Sequence, residues 1–158
     1  MKKKLIMIVC VLLMAVMATG CTTFNNFKNA FFSDSSTETV AADGTIRIGV
    51  YEPLSGEYRQ QGNEERIGIE LAHELYPEVA GKKVELIYAD NQSDMYAAET
   101  AIEELMAQNP SVILGSYGDT VTLVAGDAVK ANNVPAISIS STNPLITINN
   151  PYYFCATF

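Results

Sequence analysis

The chain alternates between two hydrophobic periods. Thr45 to Tyr51, TIRIGVY, is short, β-branched and apolar, which predicts a strand. Pro53 to Gly56, PLSG, is a turn signal. From about Gly62, the apolar residues Ile67, Leu71 and Leu75 recur every four positions, with Gly68 and Ala72 on the adjoining face. That stripe predicts a helix, closed by Pro77 and Gly81. Lys83 to Asp90, KVELIYAD, predicts a second strand. Ser93 and Asp94 offer a helix cap, Ala98, Ala101, Ile102 and Leu105 follow at helical spacing, and Asn109-Pro110 stops that helix. Ser111 to Gly115, SVILG, is continuous in apolar residues and predicts a third strand buried on both faces. Val121, Val124, Ala125, Ala128 and Val129 mark a third helix, Pro135 to Ser140 a fourth strand, and NPYYFCATF the start of a fifth.

This alternation predicts the α/β class: a doubly wound parallel sheet with helices on both faces. In such sheets ligands bind at the carboxyl ends of the strands, near the switch in strand order. The loops to inspect are therefore Glu52 to Gly62, Asn91 to Met95, Ser116 to Thr120 and Ser140 to Pro144.

The first twenty residues carry a different signal. Lys2, Lys3 and Lys4 form a positive start, and Leu5 to Met17 is an apolar run too short for a spanning helix. Ala18, Thr19, Gly20 and Cys21 follow, and MATGC resembles the lipobox of bacterial lipoproteins. That resemblance implies cleavage before Cys21, a lipid on Cys21 and anchorage on the outer side of the cell membrane. The competing reading is an ordinary secretory signal with an unrelated cysteine. Residues 21–43 are rich in Ser, Thr and Asn and lack sustained periodicity, which predicts a flexible tether. Phe24, Phe27, Phe31 and Phe32 leave open one amphipathic turn lying on the bilayer.

Charge and cysteine count narrow the partners. Cleavage at Cys21 would leave seven basic against eighteen acidic residues, net −11. That balance disfavours nucleic acid and anionic lipid as partners. Cys155 would be the one remaining thiol, so no intrachain disulfide forms. With His73 the single histidine, no metal site is expected.

Common catalytic and cofactor signatures are missing. No Gly-x-Gly-x-x-Gly follows the first strand, and no P-loop is present, so no cofactor is expected. GSYGD is not a nucleophile elbow, and His73 falls in a helix, so a Ser-His-Asp triad is poorly served. Asp90 and Asp119 both fall at the carboxyl edge, either as an acid–base pair or as a loop hydrogen-bonder and a helix cap. Ser116, Thr120, Ser140, Ser141 and Thr142 place hydroxyls on two of the four loops, suited to a polar small molecule or to turns and caps.

The motifs IRIGVYEPLSG, IYADNQSD and VILGSYGDTVTLVAGDAVKANNVPAISISSTNPLIT resemble the N-terminal part of type I solute-binding proteins. More closely, they resemble the branched-chain amino-acid receptors of ABC importers. The resemblance runs from about Ile46 to Phe158. It implies a two-lobed clamshell whose N-lobe grips an α-amino acid, and a non-enzymatic receptor that hands its ligand to an ABC permease. Residue by residue, the first-loop aromatic position before a glycine falls on Gln61. The helix-start position that grips the ligand carboxylate falls on Asp119, between Gly118 and Thr120. The hydroxyl-rich loop falls on Ser140, Ser141 and Thr142. Asp119 departs from the usual serine: a cap in either case, it would repel a ligand carboxylate in a dry cleft, so an exposed amine or amide suits it better.

The domain expectation is a lipoprotein signal at 1–20, a tether at 21–43 and a partial N-lobe at 44–158, with the C-lobe absent. A gene fragment, marginal in stability by itself, is therefore expected. A ligand-sensing receptor domain and an exported α/β enzyme are the rival functions.

Overall fold

A computed structural model describes residues 44–157, all within the compact unit Thr39–Phe158. The signal segment, Cys21 and the tether lie outside the described residues. The elements run β1 (Ile46–Glu52), α1 (Arg59–Leu75), β2 (Glu78–Val79), β3 (Lys82–Asp90), α2 (Met95–Met106), β4 (Val112–Leu114), α3 (Asp119–Asn132), β5 (Ala136–Ser138), a 3-10 turn (Pro144–Ile146) and β6 (Tyr153–Cys155). They form one six-stranded sheet in the order β2-β3-β1-β4-β5-β6. Every pairing is parallel except β2 with β3. The doubly wound parallel sheet is thus present. The strict alternation is not: β2 is a short antiparallel addition, and a 3-10 turn instead of a helix joins β5 to β6.

Side chains along β1 point alternately to the two faces of the sheet. Gly49 and Tyr51 face α2 and α3. A Cβ on Gly49 would lie 2.9 Å from Leu105 Cδ2, and the Tyr51 hydroxyl reaches the carbonyls of Ala98 and Val121 at 3.2 and 3.1 Å. This side holds the main core: Ala98, Ile102, Leu105, Ile113, Val121, Ala125 and Val129 are all buried. The helical spacing of α2 and α3 therefore identified the packed faces correctly. Asp94 caps α2 as expected, its Oδ1 accepting from the amides of Tyr96 and Ala97 at 2.9 Å each.

The other face of the sheet carries α1, and here the expected stripe is turned outward. Ile67, Leu71 and Leu75 are 57%, 55% and 64% exposed, whereas Gly62 and Ile69 are buried. The helix starts at Arg59, three residues earlier than expected, and presents the Gly62–Glu65–Ile69 side to the sheet. The reason is a close approach: a Cβ on Gly62 would strike the carbonyl oxygen of Pro53. Between α1 and the sheet remains an apolar hollow of about 500 Å³, lined in part by Ile48, Leu86, Leu114 and Ile139. β4 is accordingly not buried on both faces; Ile113 is, but Leu114 on the α1 side is half-buried.

Two glycines of α1 therefore respond oppositely to alanine. Gly68→Ala meets nothing within 4 Å and gains helix propensity, raising stability by about 0.5–1 kcal/mol. Gly62→Ala drives a methyl into backbone and lowers stability by about 1–3 kcal/mol. Urea unfolding of the two variants checks the pair of signs.

Candidate functional site

The buried polar side chains among the described residues are Glu52, Asn91, Ser116, Thr122, Ser138 and Ser141. All six sit at the carboxyl edge of the sheet. A buried polar group is costly unless paired, and here the pairs tie the four loops together. Glu52 ends β1; its Oε2 accepts from the Tyr117 amide at 2.9 Å, and its backbone carbonyl accepts from Leu54 and Asn91 at 3.0 and 3.2 Å. Asn91 Nδ2 donates to Ser116 Oγ at 2.7 Å. The Ser116 carbonyl accepts from Ser141 Oγ and Thr122 Oγ1, both at 3.0 Å. The loop after β4 passes so close to β1 that a Cβ on Gly115 would strike the Tyr51 carbonyl. At a φ of +118° only glycine is comfortable there.

Asp90 clasps the first loop. It accepts from the Leu54 and Ser55 amides at 2.9 and 3.1 Å and from Ser55 Oγ at 2.6 Å. Burial pushes its carboxyl up, but the Ser55 hydroxyl and the amides of Gln92, Ser55 and Leu54 outweigh that and hold it below the usual value. Of the two roles open to Asp90, the structure places it in the loop hydrogen-bonder's.

Above this network opens a cavity of about 540 Å³. The first loop contributes Glu57 and Tyr58, the second Ser93, the third Tyr117 with Gly118, Asp119, Thr120 and Val121 of the α3 start, and the fourth Ser140, Ser141 and Thr142. The Tyr58 and Tyr117 rings lie 5.5 Å apart at 58°, an aromatic corner. The chain runs from β1 to β3 on one side and then crosses to β4 on the other, so the cavity stands at the switch in strand order.

Of the seven candidate ligand residues, Gly118, Asp119, Thr120, Ser140, Ser141 and Thr142 line this cavity. Gln61 does not; because α1 begins at Arg59, position 61 already lies inside the helix. The aromatic side chain at the first loop is Tyr58, the N-cap residue of α1. Tyr58 and Tyr117 escaped the sequence reading, although each stands in a loop that the strand pattern had marked. Two hydroxyls are less available than their sequence suggests: Ser141 and Ser116 are buried and spent on the network. Ser140 Oγ is buried without a partner among the described residues. Asp119 is not the helix cap. Gly118 holds that position with no side-chain cap, and Asp119 is the first helical residue, exposed, with its charge at the favourable end of the helix.

One further acid departs from ordinary behaviour. Burial, then the neighbouring Glu65 carboxyl of α1, pushes Glu52 up to about 9, against the Tyr117 amide, which pulls it down. Glu52 Oε1 and Glu65 Oε2 are both buried without a conventional donor. Both effects, burial and the Glu65 carboxyl, favour the neutral form of Glu52.

A match to a family model covers residues 45–158, described as periplasmic binding protein. Leu/Ile/Val-binding protein homolog 3 of Brucella melitensis biotype 1 is 26% identical over 110 residues, covering 68% of this chain and 30% of that protein. The leucine-binding protein LivK of Thermotoga maritima superposes with a TM-score of 0.70 at 29% identity, over 72% of this chain and 33% of that one. The branched-chain amino acid transporter substrate-binding protein LivJ of Streptococcus pneumoniae, solved with isoleucine, gives 0.68 at 30% identity, over 72% and 34%. The chain thus spans about a third of the length of these relatives.

The native state holds a proton on Glu52 that the unfolded chain releases at ordinary carboxylate pH. Its contribution is present below that range and is lost as pH rises through about 9. Wild type should therefore lose stability relative to Glu52→Gln over this window, by up to about 1.4 kcal/mol per pH unit. Denaturant midpoints of both proteins at pH 5, 7 and 9 measure the divergence.

Proposed function

The chain belongs to the periplasmic binding protein family, and from that premise we propose that it is the ligand-binding N-lobe of an extracytoplasmic receptor that delivers a small polar solute to an ABC importer. The observation that carries this reading is the cavity at the switch in strand order, walled by all four carboxyl-edge loops. The reading does not require catalysis: Asp90 is committed to the first loop and does not line the cavity. Relatives with this fold carry names for leucine, isoleucine and valine, so an amino acid or a related compound is the solute class. Within this reading Cys21 carries the lipid, residues 1–20 are its signal, residues 21–43 span the gap to the membrane, and residues 44–158 bind.

The polar walls supply orientation and the tyrosine corner supplies contact area, the usual division in small-molecule sites. Thr120 is exposed at the helix start, and Ser140 holds an unspent hydroxyl. Calorimetric titration of the purified full chain against a panel of amino acids, amides, amines and aromatic acids tests the reading. Binding by at least one class is expected. Thr120→Val and Ser140→Ala should each weaken it about three- to tenfold, the worth of one hydrogen bond. A folded chain that binds no member of the panel refutes the reading. Metabolic labelling with a radioactive fatty acid tests the anchor, with incorporation expected in wild type and lost in Cys21→Ala.

A further inference from the structure

The charge of the cavity points to a narrower ligand class. Its described lining holds two carboxylates, Glu57 and Asp119, and no lysine, arginine or histidine. A helix N-terminus ordinarily attracts an anion. Here Asp119, the first residue of α3, puts a negative charge of its own at that end. A ligand carboxylate arriving there would meet like charge and no cation. The screening that keeps such repulsion small in water is lost as the ligand displaces that water.

The remaining groups suit the opposite sign. The Tyr58 and Tyr117 rings meet in a tilted pair at 5.5 Å, and ring faces attract cations. The Tyr58 ring stands beside the turn that carries Asp119, with Cδ2 3.7 Å from where a Cβ of Gly118 would lie. Two tyrosine rings and Asp119 thus line one cavity, together with Ser140, Ser141 and Thr142 of the fourth loop. Arg59 follows Tyr58 in the chain but is not among the lining residues.

Resting on the solute-binding reading above, we propose that this lobe receives a cationic nitrogen, an alkyl- or arylammonium group, in the corner formed by Tyr58, Tyr117 and Asp119, and not a carboxylate. Glu57 stands at the rim and adds to the attraction at low salt.

Matched probes test this directly. 2-Methylbutylamine and 3-methylpentanoate are isoleucine without its carboxylate and without its ammonium group, and benzylamine and benzoate form an aromatic pair. Each is titrated calorimetrically into the full chain, Asp119→Asn and Tyr58→Leu, after circular dichroism shows that the variants are folded. Each amine should bind at least tenfold tighter than its matched carboxylate. That preference should fall about tenfold in Asp119→Asn and several-fold in Tyr58→Leu. Tighter binding of the carboxylates overturns the inference and leaves the solute-binding reading standing. So does amine affinity that stays within twofold in both variants. Silence from all four probes overturns the inference alone, since the wider panel judges the reading beneath it.

Discussion

The carboxyl of Glu52 is the constraint around which the edge of this sheet is arranged. It is fully buried, at the end of the central strand β1. A lone charged carboxylate there would be prohibitively expensive, so the chain surrounds it with specific partners. The Tyr117 amide meets one oxygen, and burial beside the Glu65 carboxyl favours the neutral form of the group. Those partners belong to the third loop and to α1. Satisfying one buried acid thereby fixes the loop after β4 and the helix after β1. The Glu52 backbone carbonyl meanwhile holds the loops after β1 and β3.

This requirement divides the hydroxyls of the edge into two sets. Ser116, Thr122 and Ser141 are buried and bonded to one another or to loop carbonyls. They act as the floor that holds the loops at a fixed spacing. Thr120 and Thr142, one step farther out, are exposed. A hydroxyl bonded within the protein gains little from a ligand, whereas an exposed one exchanges water for it. The cavity lining is therefore the outer layer of a two-layer polar structure, with its inner layer tying the loops together.

How legible this was follows from which signal each feature leaves. Period-two and period-3.6 patterns placed the strands, and they identified the packed faces of α2 and α3, whose striped residues Ala98, Ala101, Ile102, Leu105, Val121, Ala125 and Val129 are buried in one core. They failed on α1 because periodicity reports a stripe but not which side meets the sheet. Gly62 settled that through contact with Pro53, a tertiary event without a local pattern. The four loops that line the cavity are the ones that the strand pattern marked. Gln61 was misplaced because its position depended on where α1 starts, and Tyr58 caps that start without a side-chain hydrogen bond to announce it. Glu52 left no trace: an acid at a strand end reads as solvent-exposed until the loops close over it.

The same reasoning shows what holds the first wall of the cavity. α1 meets the sheet across an apolar hollow, with Gly62 and Ile69 its buried residues and Ile67, Leu71 and Leu75 facing outward. Apolar packing therefore contributes less to placing this helix than it does for α2 and α3. Two polar or close-packed contacts compensate near its start: Gly62 against Pro53, and Glu65 against Glu52. Tyr58 stands immediately ahead of both, with its amide accepted by Ser93 Oγ at 2.9 Å. The position of the aromatic corner thus depends on the contacts of Gly62 and Tyr58 with the neighbouring loops as well as on the apolar core. Neutralising Glu52 inside the fold is what allows a carboxyl to serve there as a structural tie, whereas Asp119, outside it, stays exposed in the cavity wall.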